Sequence, residues 1–244
     1  MQAKIPKKIA LVTGAATSIG RDIAISLAKN GWYVAIHYNN SEMQAKELSK
    51  YINDITNSIY IQADLNNVNN IEKILIEIEQ KFGKANLLIN NAAHFENDSA
   101  NNLNISLLNK HMQINCLSPV MLSAAFIKSN TEDRLNIINI LDYTVVNATK
   151  NFFSYNLSKS ALLNATKQMA LQLAPRCRVN AISPGNVCKD SKQSENHFHW
   201  LVNNSPLATV TTTQEICEAI DFIIKTKSMT GVNLLLDSGS HLER

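Results

Sequence analysis

Short apolar runs of strand type alternate with amphipathic helical patterns along almost the whole chain, and this alternation strongly limits the possible folds. The strand candidates are Lys8–Thr13, Tyr33–Tyr38, Ser58–Ala63, Asn86–Asn90, Leu135–Leu141, Arg178–Ile182 and Val232–Leu236. The helix candidates are Gly20–Lys29, Ser41–Ile52, Val68–Phe82, Ile105–Lys128, Phe153–Leu173 and Gln214–Lys225. Strands separated by helices pair in parallel and are covered on both faces. The pattern therefore predicts an α/β fold, a doubly wound parallel sheet of about seven strands with helices on both faces.

Length and composition limit the domain organisation and the partners. The 244 residues contain no linker, repeat or low-complexity tract, so we predict a single domain over 1–244. The formal net charge is only +3 and the basic residues are scattered, which argues against nucleic acid or a membrane surface as partner. The four cysteines lack metal-site or disulfide-framework spacing, so we expect no metal and a cytoplasmic protein.

The first strand candidate runs into a glycine-containing turn and then a helix. Gly14 permits the tight turn, and Gly20 permits close packing of helix on strand. Ser18 stands where a third glycine is expected in such turns, and Ile19 follows it. Because amides at a helix start attract anions, we predict that this turn binds the pyrophosphate of a dinucleotide.

The second strand candidate ends without an acidic residue, at Tyr38, Asn39, Asn40 and Ser41. An NAD-selective site has an Asp or Glu there for the ribose hydroxyls, and that carboxylate would repel a 2′-phosphate. Asn and Ser side chains can instead donate hydrogen bonds to the phosphate, so we predict NADPH as cofactor. The alternative is that these residues only cap the next helix at Ser41.

Small and polar residues follow the later strands, at the sheet edge where a cofactor would lie. They are Asp64 and Leu65, then Asn91, Ala92 and Ala93, and finally Pro184 and Gly185. We predict that they contact the cofactor, although each alone is equally typical of a turn.

Tyr155 and Lys159 are four residues apart in a helix candidate and therefore share one face. An ammonium beside a phenol favours the phenolate, so we expect Lys159 to lower the pKa of Tyr155 and make it a proton-transfer group. Asp142 ends a strand candidate, where active-site side chains of an α/β fold project. Tyr-x-x-x-Lys by itself is also common on solvated helices.

The segment 186–206 has the least regular pattern, and we predict that it forms a flap over the pocket. Phe198 and Trp200 within it favour packing on a ligand over a plain surface loop.

Taken together, these residues resemble the short-chain dehydrogenase/reductase family. The matching motifs, in family order, are Thr13-Gly14-x-x-x-x-x-Gly20, Asp64, Asn90-Asn91-Ala92, Asn115, Tyr155-x-x-x-Lys159 and Pro184-Gly185. The resemblance implies a Rossmann-type reductase with a proton relay through Asn115, Tyr155 and Lys159, in which Lys159 also holds the nicotinamide ribose. It further implies a homotetramer.

The family usually has a Ser at the place of Asp142, and an Asp there resembles its pteridine reductase branch. That likeness implies a pterin or folate substrate, with Phe95 stacked on the pterin ring and Phe198 on the substrate side. It also places Arg244 at the border of a neighbouring subunit's pocket. Ser18 and Ala93 depart from the branch, which often has Arg and Ser at these two positions.

The chemistry of Asp142 favours a nitrogen acceptor. A carboxylate ~4 Å from the oxyanion of a reduced ketone would cost about 4 kcal/mol at an effective dielectric constant near 20, roughly a thousandfold in rate. An imine nitrogen gains positive charge instead, and a carboxylate stabilises that charge. Alternatively, a partly buried Asp stays protonated and acts as a donor. In either form Asp142 would polarise or reprotonate Tyr155, which gives its proton to the nitrogen.

Two other functions compete with pteridine reduction. A carbonyl reductase of the 3-oxoacyl-thioester type predicts Ser at position 142. A non-catalytic cofactor-binding sensor predicts loss of Tyr155 or Lys159, and both are present.

Overall fold

The chain folds around one parallel sheet of seven strands. The computed structural model describes residues 7–131, 134–147, 149–187 and 194–242. The strands are β1 (Ile9–Val12), β2 (Tyr33–Tyr38), β3 (Ser58–Gln62), β4 (Leu87–Asn90), β5 (Leu135–Ile140), β6 (Cys177–Pro184) and β7 (Asn233–Leu236). Their order is β3-β2-β1-β4-β5-β6-β7, with every pair parallel. The predicted doubly wound sheet is confirmed.

Helices cover both faces of the sheet, as predicted. They are α1 (Ser18–Lys29), α2 (Glu42–Asn53), α3 (Ile71–Lys81), α4 (Ile105–Met112), α5 (Ser118–Ser129), α6 (Phe153–Leu173), α7 (Glu195–Asn203) and α8 (Thr213–Lys225). The core of one face contains side chains of α1, α2 and α8, and the core of the other contains side chains of α3, α5 and α6. Within the described ranges, no helix combines the length and the apolar character that crossing a membrane requires.

The burial of β1 shows why its sequence reads as an uninterrupted apolar run. Ala10 and Val12 pack into one core, while Ile9 and Leu11 pack into the core on the opposite face. Successive side chains of a strand point to opposite faces, so a strand covered on both sides needs an apolar residue at every position.

Strands β1 to β3 extend the sheet in one direction and β4 to β7 extend it in the other, so the direction of addition reverses between β1 and β4. Chain connections from these neighbours leave toward opposite faces of the sheet, which opens a crevice at their carboxyl ends. The loops after β1, β2, β4, β5 and β6 all contribute residues to one cleft at this edge. The fold therefore brings residues that are distant in the sequence to a single place.

Two helical predictions differ from the structure. The predicted helix Ile105–Lys128 consists of α4, a π-helical segment Gln113–Leu117 and α5. The predicted irregular flap contains α7, and part of it, residues 188–193, lies outside the described residues. The π-helical segment is only five residues long, shorter than the window of roughly 11 to 18 residues over which apolar periodicity is recognised.

Candidate active site

Most of the predicted site residues line the cleft at the carboxyl edge of the sheet. Those in its lining are Gly14, Ser18, Ile19, Gly20, Asn39, Asn40, Asp64, Leu65, Asn91, Ala92, Ala93, Phe95, Asp142, Tyr155, Lys159, Pro184 and Gly185. The sequence-predicted residues Tyr38, Ser41, Asn115 and Phe198 do not line it, and Arg244 lies outside the described residues. From the flap, Trp200 and Leu201 reach the cleft instead of Phe198.

The turn after β1 is tied to the loop after β4. Thr13 Oγ1 accepts hydrogen bonds from the backbone N–H groups of Asn91 and Ala92, at 2.9 and 3.0 Å. Asn91 Nδ2 donates in return to the carbonyl oxygens of Thr13 and Gly14, at 2.9 and 3.2 Å. These bonds hold the two loops together and leave the start of α1 facing the cleft.

Gly14 and Gly20 are required by close backbone approach. Gly14 has φ of 62°, a left-handed conformation, and a Cβ there would lie 2.9 Å from Ala92 Cα. A Cβ on Gly20 would overlap the Gly14 carbonyl oxygen and would lie 2.5 Å from Asn91 Nδ2. The shape of this turn, which would hold the pyrophosphate, therefore depends on the missing side chains.

We expect Gly20→Ala to weaken NADPH binding and to lower the free energy of unfolding by about 3 kcal/mol, because the new methyl displaces Asn91 or the turn. Isothermal titration with NADPH and urea unfolding would measure the two effects. Lys29→Ala, in the exposed last turn of the same helix, is the control. Binding of NADPH by Gly20→Ala at wild-type affinity would contradict the expectation.

His37 supports this turn, a role that the sequence analysis did not assign. Its Nε2 lies 3.0 Å from the carbonyl oxygen of Ala63, so Nε2 carries the proton and donates it. Its Nδ1 then accepts a hydrogen bond from the Gly14 N–H at 3.2 Å. Burial lowers the pKa of His37 to about 4, so the ring is neutral at pH 7. The sequence signal that could have revealed this role is a His that directly follows the apolar run of a buried strand.

Stability should fall as acid protonates His37 in the unfolded chain. Its pKa is about 4 when folded and about 6.5 otherwise, so below pH 6.5 the unfolded chain binds more protons. The free energy of unfolding that neutral His37 contributes is lost as the pH falls from 6.5 to 4, and the loss reaches about 3 kcal/mol near pH 4. Urea unfolding of wild type and His37→Gln across this range would measure the difference. Equal pH slopes for the two proteins would contradict the expectation.

The end of β2 differs in part from prediction. The Tyr38 ring is buried and packs against Tyr60, with ring centroids 6.2 Å apart, while Asn39 and Asn40 line the cleft. Ser41 occupies the N-cap position of α2, as the capping alternative expects, but its side chain makes no capping hydrogen bond. NAD-selective sites have an Asp or Glu at this strand end, and residues 37–41 include neither.

Asp142, Tyr155 and Lys159 meet at the ends of β5 and α6. The Tyr155 hydroxyl donates to Asp142 Oδ2 at 3.0 Å. Lys159 Nζ donates to the Ile140 carbonyl oxygen at 2.8 Å and lies 5.9 Å from the centre of the Tyr155 ring. Tyr155 is 6% exposed and Lys159 only 3%, so both polar groups act in a largely desolvated site.

The expectation that Lys159 lowers the pKa of Tyr155 is wrong for this structure. Burial raises the pKa of Tyr155 well above its usual value, and an ionised Asp142 and its hydrogen bond act in the same direction. Burial likewise lowers the pKa of Lys159 to about 8. Tyr155 therefore retains its proton near neutral pH, which suits a group that donates a proton.

Asn115 lies in the π-helical segment and is fully buried outside the cleft lining. Its Oδ1 accepts from the His94 N–H at 2.7 Å, and its Nδ2 donates to the His94 carbonyl oxygen at 3.0 Å and to Ser158 Oγ at 3.1 Å. In this structure Asn115 joins the loop that carries Phe95 to the helix that carries Tyr155.

Phe95 belongs to a cluster of aromatic rings beside Tyr155. Phe152 stacks on Phe95 with ring centroids 4.5 Å apart and an interplanar angle of 15°. Tyr155 meets Phe95 edge to face at 4.8 Å. Phe152 has φ of 59°, an unusual conformation for a non-glycine residue, and its N–H donates to Asn97 Oδ1 at 3.0 Å. The sequence analysis missed Phe152, although an aromatic residue three positions before Tyr155 was a visible signal.

A family model and a named relative each match nearly the whole chain. The family model described as enoyl-(acyl carrier protein) reductase matches residues 14–241. The 3-oxoacyl-[acyl-carrier-protein] reductase FabG of Buchnera aphidicola subsp. Schizaphis graminum is 30% identical and aligns over 98% of this chain and 99% of its own.

Two solved structures share the fold throughout. They are FolM alternative dihydrofolate reductase 1 from Brucella canis and from Brucella suis, both with NADP. Each is 35% identical, with a TM-score of 0.94 and 97% of this chain covered. The alignments cover 95% of the Brucella canis chain and 96% of the Brucella suis chain.

Proposed function

The chain belongs to the short-chain dehydrogenase/reductase family, and from this premise we propose that it is an NADPH-dependent pteridine reductase acting on a C=N bond of a dihydropterin or dihydrofolate. The observation that carries the proposal is the hydrogen bond between Tyr155 and Asp142. A carboxyl group that accepts a hydrogen bond from the proton donor is suited to a nitrogen acceptor, whereas the family usually has a Ser hydroxyl at this place.

The residues around the cleft fit NADPH as cofactor. Gly14 and Gly20 leave room for a pyrophosphate at the start of α1, and Asn39 and Asn40 offer amide donors without a carboxylate that would repel a 2′-phosphate. When bound, NADPH supplies the hydride. The proposed cofactor contacts of Asp64, Asn91 and Gly185 follow from their place in the same cleft.

Tyr155 is the proposed proton donor to the substrate nitrogen. A pterin C=N bond accepts hydride most readily when its nitrogen is protonated before or during the transfer, so an acid close to the nitrogen lowers the barrier. Asp142 is bonded to Tyr155 and would restore its proton. The Lys159 ammonium, buried beside the ring, would stabilise the phenolate that forms in between.

The aromatic cluster is the proposed platform for the flat ring of the substrate. The rings of Phe95 and Phe152 line the cleft beside Tyr155, and such surfaces favour stacked heterocycles. The NADP-bound FolM neighbours, named as dihydrofolate reductases, support a pterin or folate substrate. A homotetramer and a role for Arg244 in a neighbouring pocket remain predictions.

A second candidate, reduction of a 3-oxoacyl thioester, is favoured by the FabG relatives. An NADPH oxidation assay with dihydropterin, dihydrofolate and an acetoacetyl thioester separates the two functions. We expect turnover of at least one of the first two substrates and little of the third. Turnover of the thioester alone would show that the pteridine proposal is wrong.

A further inference from the structure

The loop after β4 supplies the hydrogen bonds that helix α6 needs at its start. The first amides of a helix have no partner within the helix, and Phe152, at the N-cap position of α6, has no side-chain oxygen to offer them. The N–H of Phe152 donates to Asn97 Oδ1 at 3.0 Å, and the N–H of Ser154 donates to Asp98 Oδ1 at 2.9 Å. The N–H of Phe153 donates to the Asp98 carbonyl oxygen at 3.3 Å. Two consecutive loop residues therefore cap a helix whose N-cap residue lies 55 positions after Asn97.

These bonds hold Phe152 in a strained backbone conformation. Its φ of 59° and ψ of 41° lie in the left-handed region, which is unfavourable for a bulky residue and persists only where surrounding contacts hold it. In this conformation the Phe152 ring stacks on Phe95, with the centroids 4.5 Å apart and the planes at 15°. Loss of the bonds from the loop would let the backbone relax and would move the Phe152 ring away from Phe95.

The loop is attached on both sides of Phe95. Before this ring, the backbone N–H and carbonyl oxygen of His94 bond the side chain of Asn115 at 2.7 and 3.0 Å. After it lie the two residues that cap α6. The Phe95 side chain itself is 46% exposed and meets the Tyr155 ring edge to face at 4.8 Å. Because so exposed a ring has few contacts of its own, its position beside Tyr155 depends on the attachments of the loop.

We propose that Asn97 and Asp98 are positioning residues for the substrate. They hold the stacked rings of Phe95 and Phe152 beside Tyr155, where the two rings form one wall of the substrate site. This inference rests on the proposed pteridine reduction for its functional meaning, and it deepens that function by assigning the residues that keep the aromatic wall in place. Asp98 does not line the cleft, so its effect reaches the substrate only through the rings.

The proton donor has support that does not depend on this cap. Ser154 Oγ lies 2.7 Å from Nδ1 of the buried His111 in α4, which fixes the start of α6 from a second side. The Tyr155 side chain is buried, and its hydroxyl is bonded to Asp142. Removal of the cap should therefore release the rings and leave Tyr155 in place. The effect falls on the KM of a flat substrate rather than on kcat or on the Kd for NADPH.

Kinetics of Asp98 variants test this division. We expect Asp98→Ala to raise KM for dihydropterin about fivefold to tenfold, with kcat and the Kd for NADPH near their wild-type values. Asp98→Asn keeps an oxygen that can accept from the Ser154 N–H, so it should restore KM. Thr212→Ala removes the cap of α8, outside the cleft lining, and is the matched control. A wild-type KM for Asp98→Ala, or an equal rise of KM for Thr212→Ala, would overturn the proposal.

A double-mutant cycle tests whether Asp98 acts through Phe152. Phe152→Gly removes both the ring and the strain, because glycine adopts the left-handed conformation freely. In this background Asp98→Ala should leave KM unchanged, since the ring that the cap holds is already absent. A rise of KM by the same factor in both backgrounds would show that Asp98 acts independently of Phe152, which contradicts the proposal.

Hydrogen exchange tests the attachment without any substrate. Asp98→Ala deletes only a side-chain bond to Ser154, yet we expect faster amide exchange across both segments 94–98 and 152–154. Thr212→Ala should leave both segments at wild-type rates. Wild-type exchange of 94–98 in Asp98→Ala would overturn the proposal. Absence of pterin turnover by wild type would defeat the proposed function, and the exchange result would still decide whether Asp98 holds the loop and the helix together.

Discussion

Tyr155→Phe is expected to lower kcat for dihydropterin reduction by about 10²-fold to 10⁴-fold while leaving the Kd for NADPH near its wild-type value. The change removes only the hydroxyl that donates to Asp142. The ring keeps its contacts with Phe95 and with His111, whose centroids lie 4.8 and 6.0 Å away. Loss of activity would then come from the missing proton rather than from lost packing.

Steady-state kinetics and titration with NADPH would measure both quantities for this variant. Tyr51→Phe, on the exposed side of α2, is the matched control and should behave as wild type. If Tyr155→Phe retained more than about a tenth of wild-type kcat, Tyr155 would not be the proton donor.

Asp142→Ser is expected to lower the ratio of pterin to thioester reduction by about 10²-fold to 10⁴-fold. A Ser hydroxyl can stabilise the oxyanion of a ketone, but it is too weak an acid to return a proton to Tyr155. A C=N nitrogen needs a proton during hydride transfer, whereas the developing oxyanion of a ketone is stabilised by a hydrogen bond from a hydroxyl group. The variant should therefore lose pterin turnover and keep any turnover of the acetoacetyl thioester.

Asp142→Asn tests the acidity of the residue 142 side chain without changing its size. Asn keeps the size of Asp and can still accept from the Thr144 N–H, which lies 2.9 Å from Asp142 Oδ1. It cannot release a proton, so we expect it to lose pterin turnover as Ser does. Full activity of Asp142→Asn would remove the proton-relay role of this residue.

The apolar patterning was sufficient to predict the sheet, because each strand is covered on both faces. Its alternation with helical patterns predicted the parallel pairing of the strands, and the turn containing Gly14 and Gly20 predicted the position of the cleft. The π-helical segment Gln113–Leu117 and helix α7 were not predicted. The two segments are five and nine residues long, shorter than the roughly 11 to 18 residues over which apolar periodicity is recognised.

The sequence by itself determined which groups meet, since spacing places Tyr155 and Lys159 on one helix face and the strand ends bring Asp142 to the same edge. Only the tertiary structure decided how Tyr155 and Lys159 titrate. Burial raises the pKa of Tyr155 well above its usual value, and it also keeps His37 neutral under the cofactor turn. Desolvation depends on every chain segment packed around a group, and most of these segments are distant in the sequence.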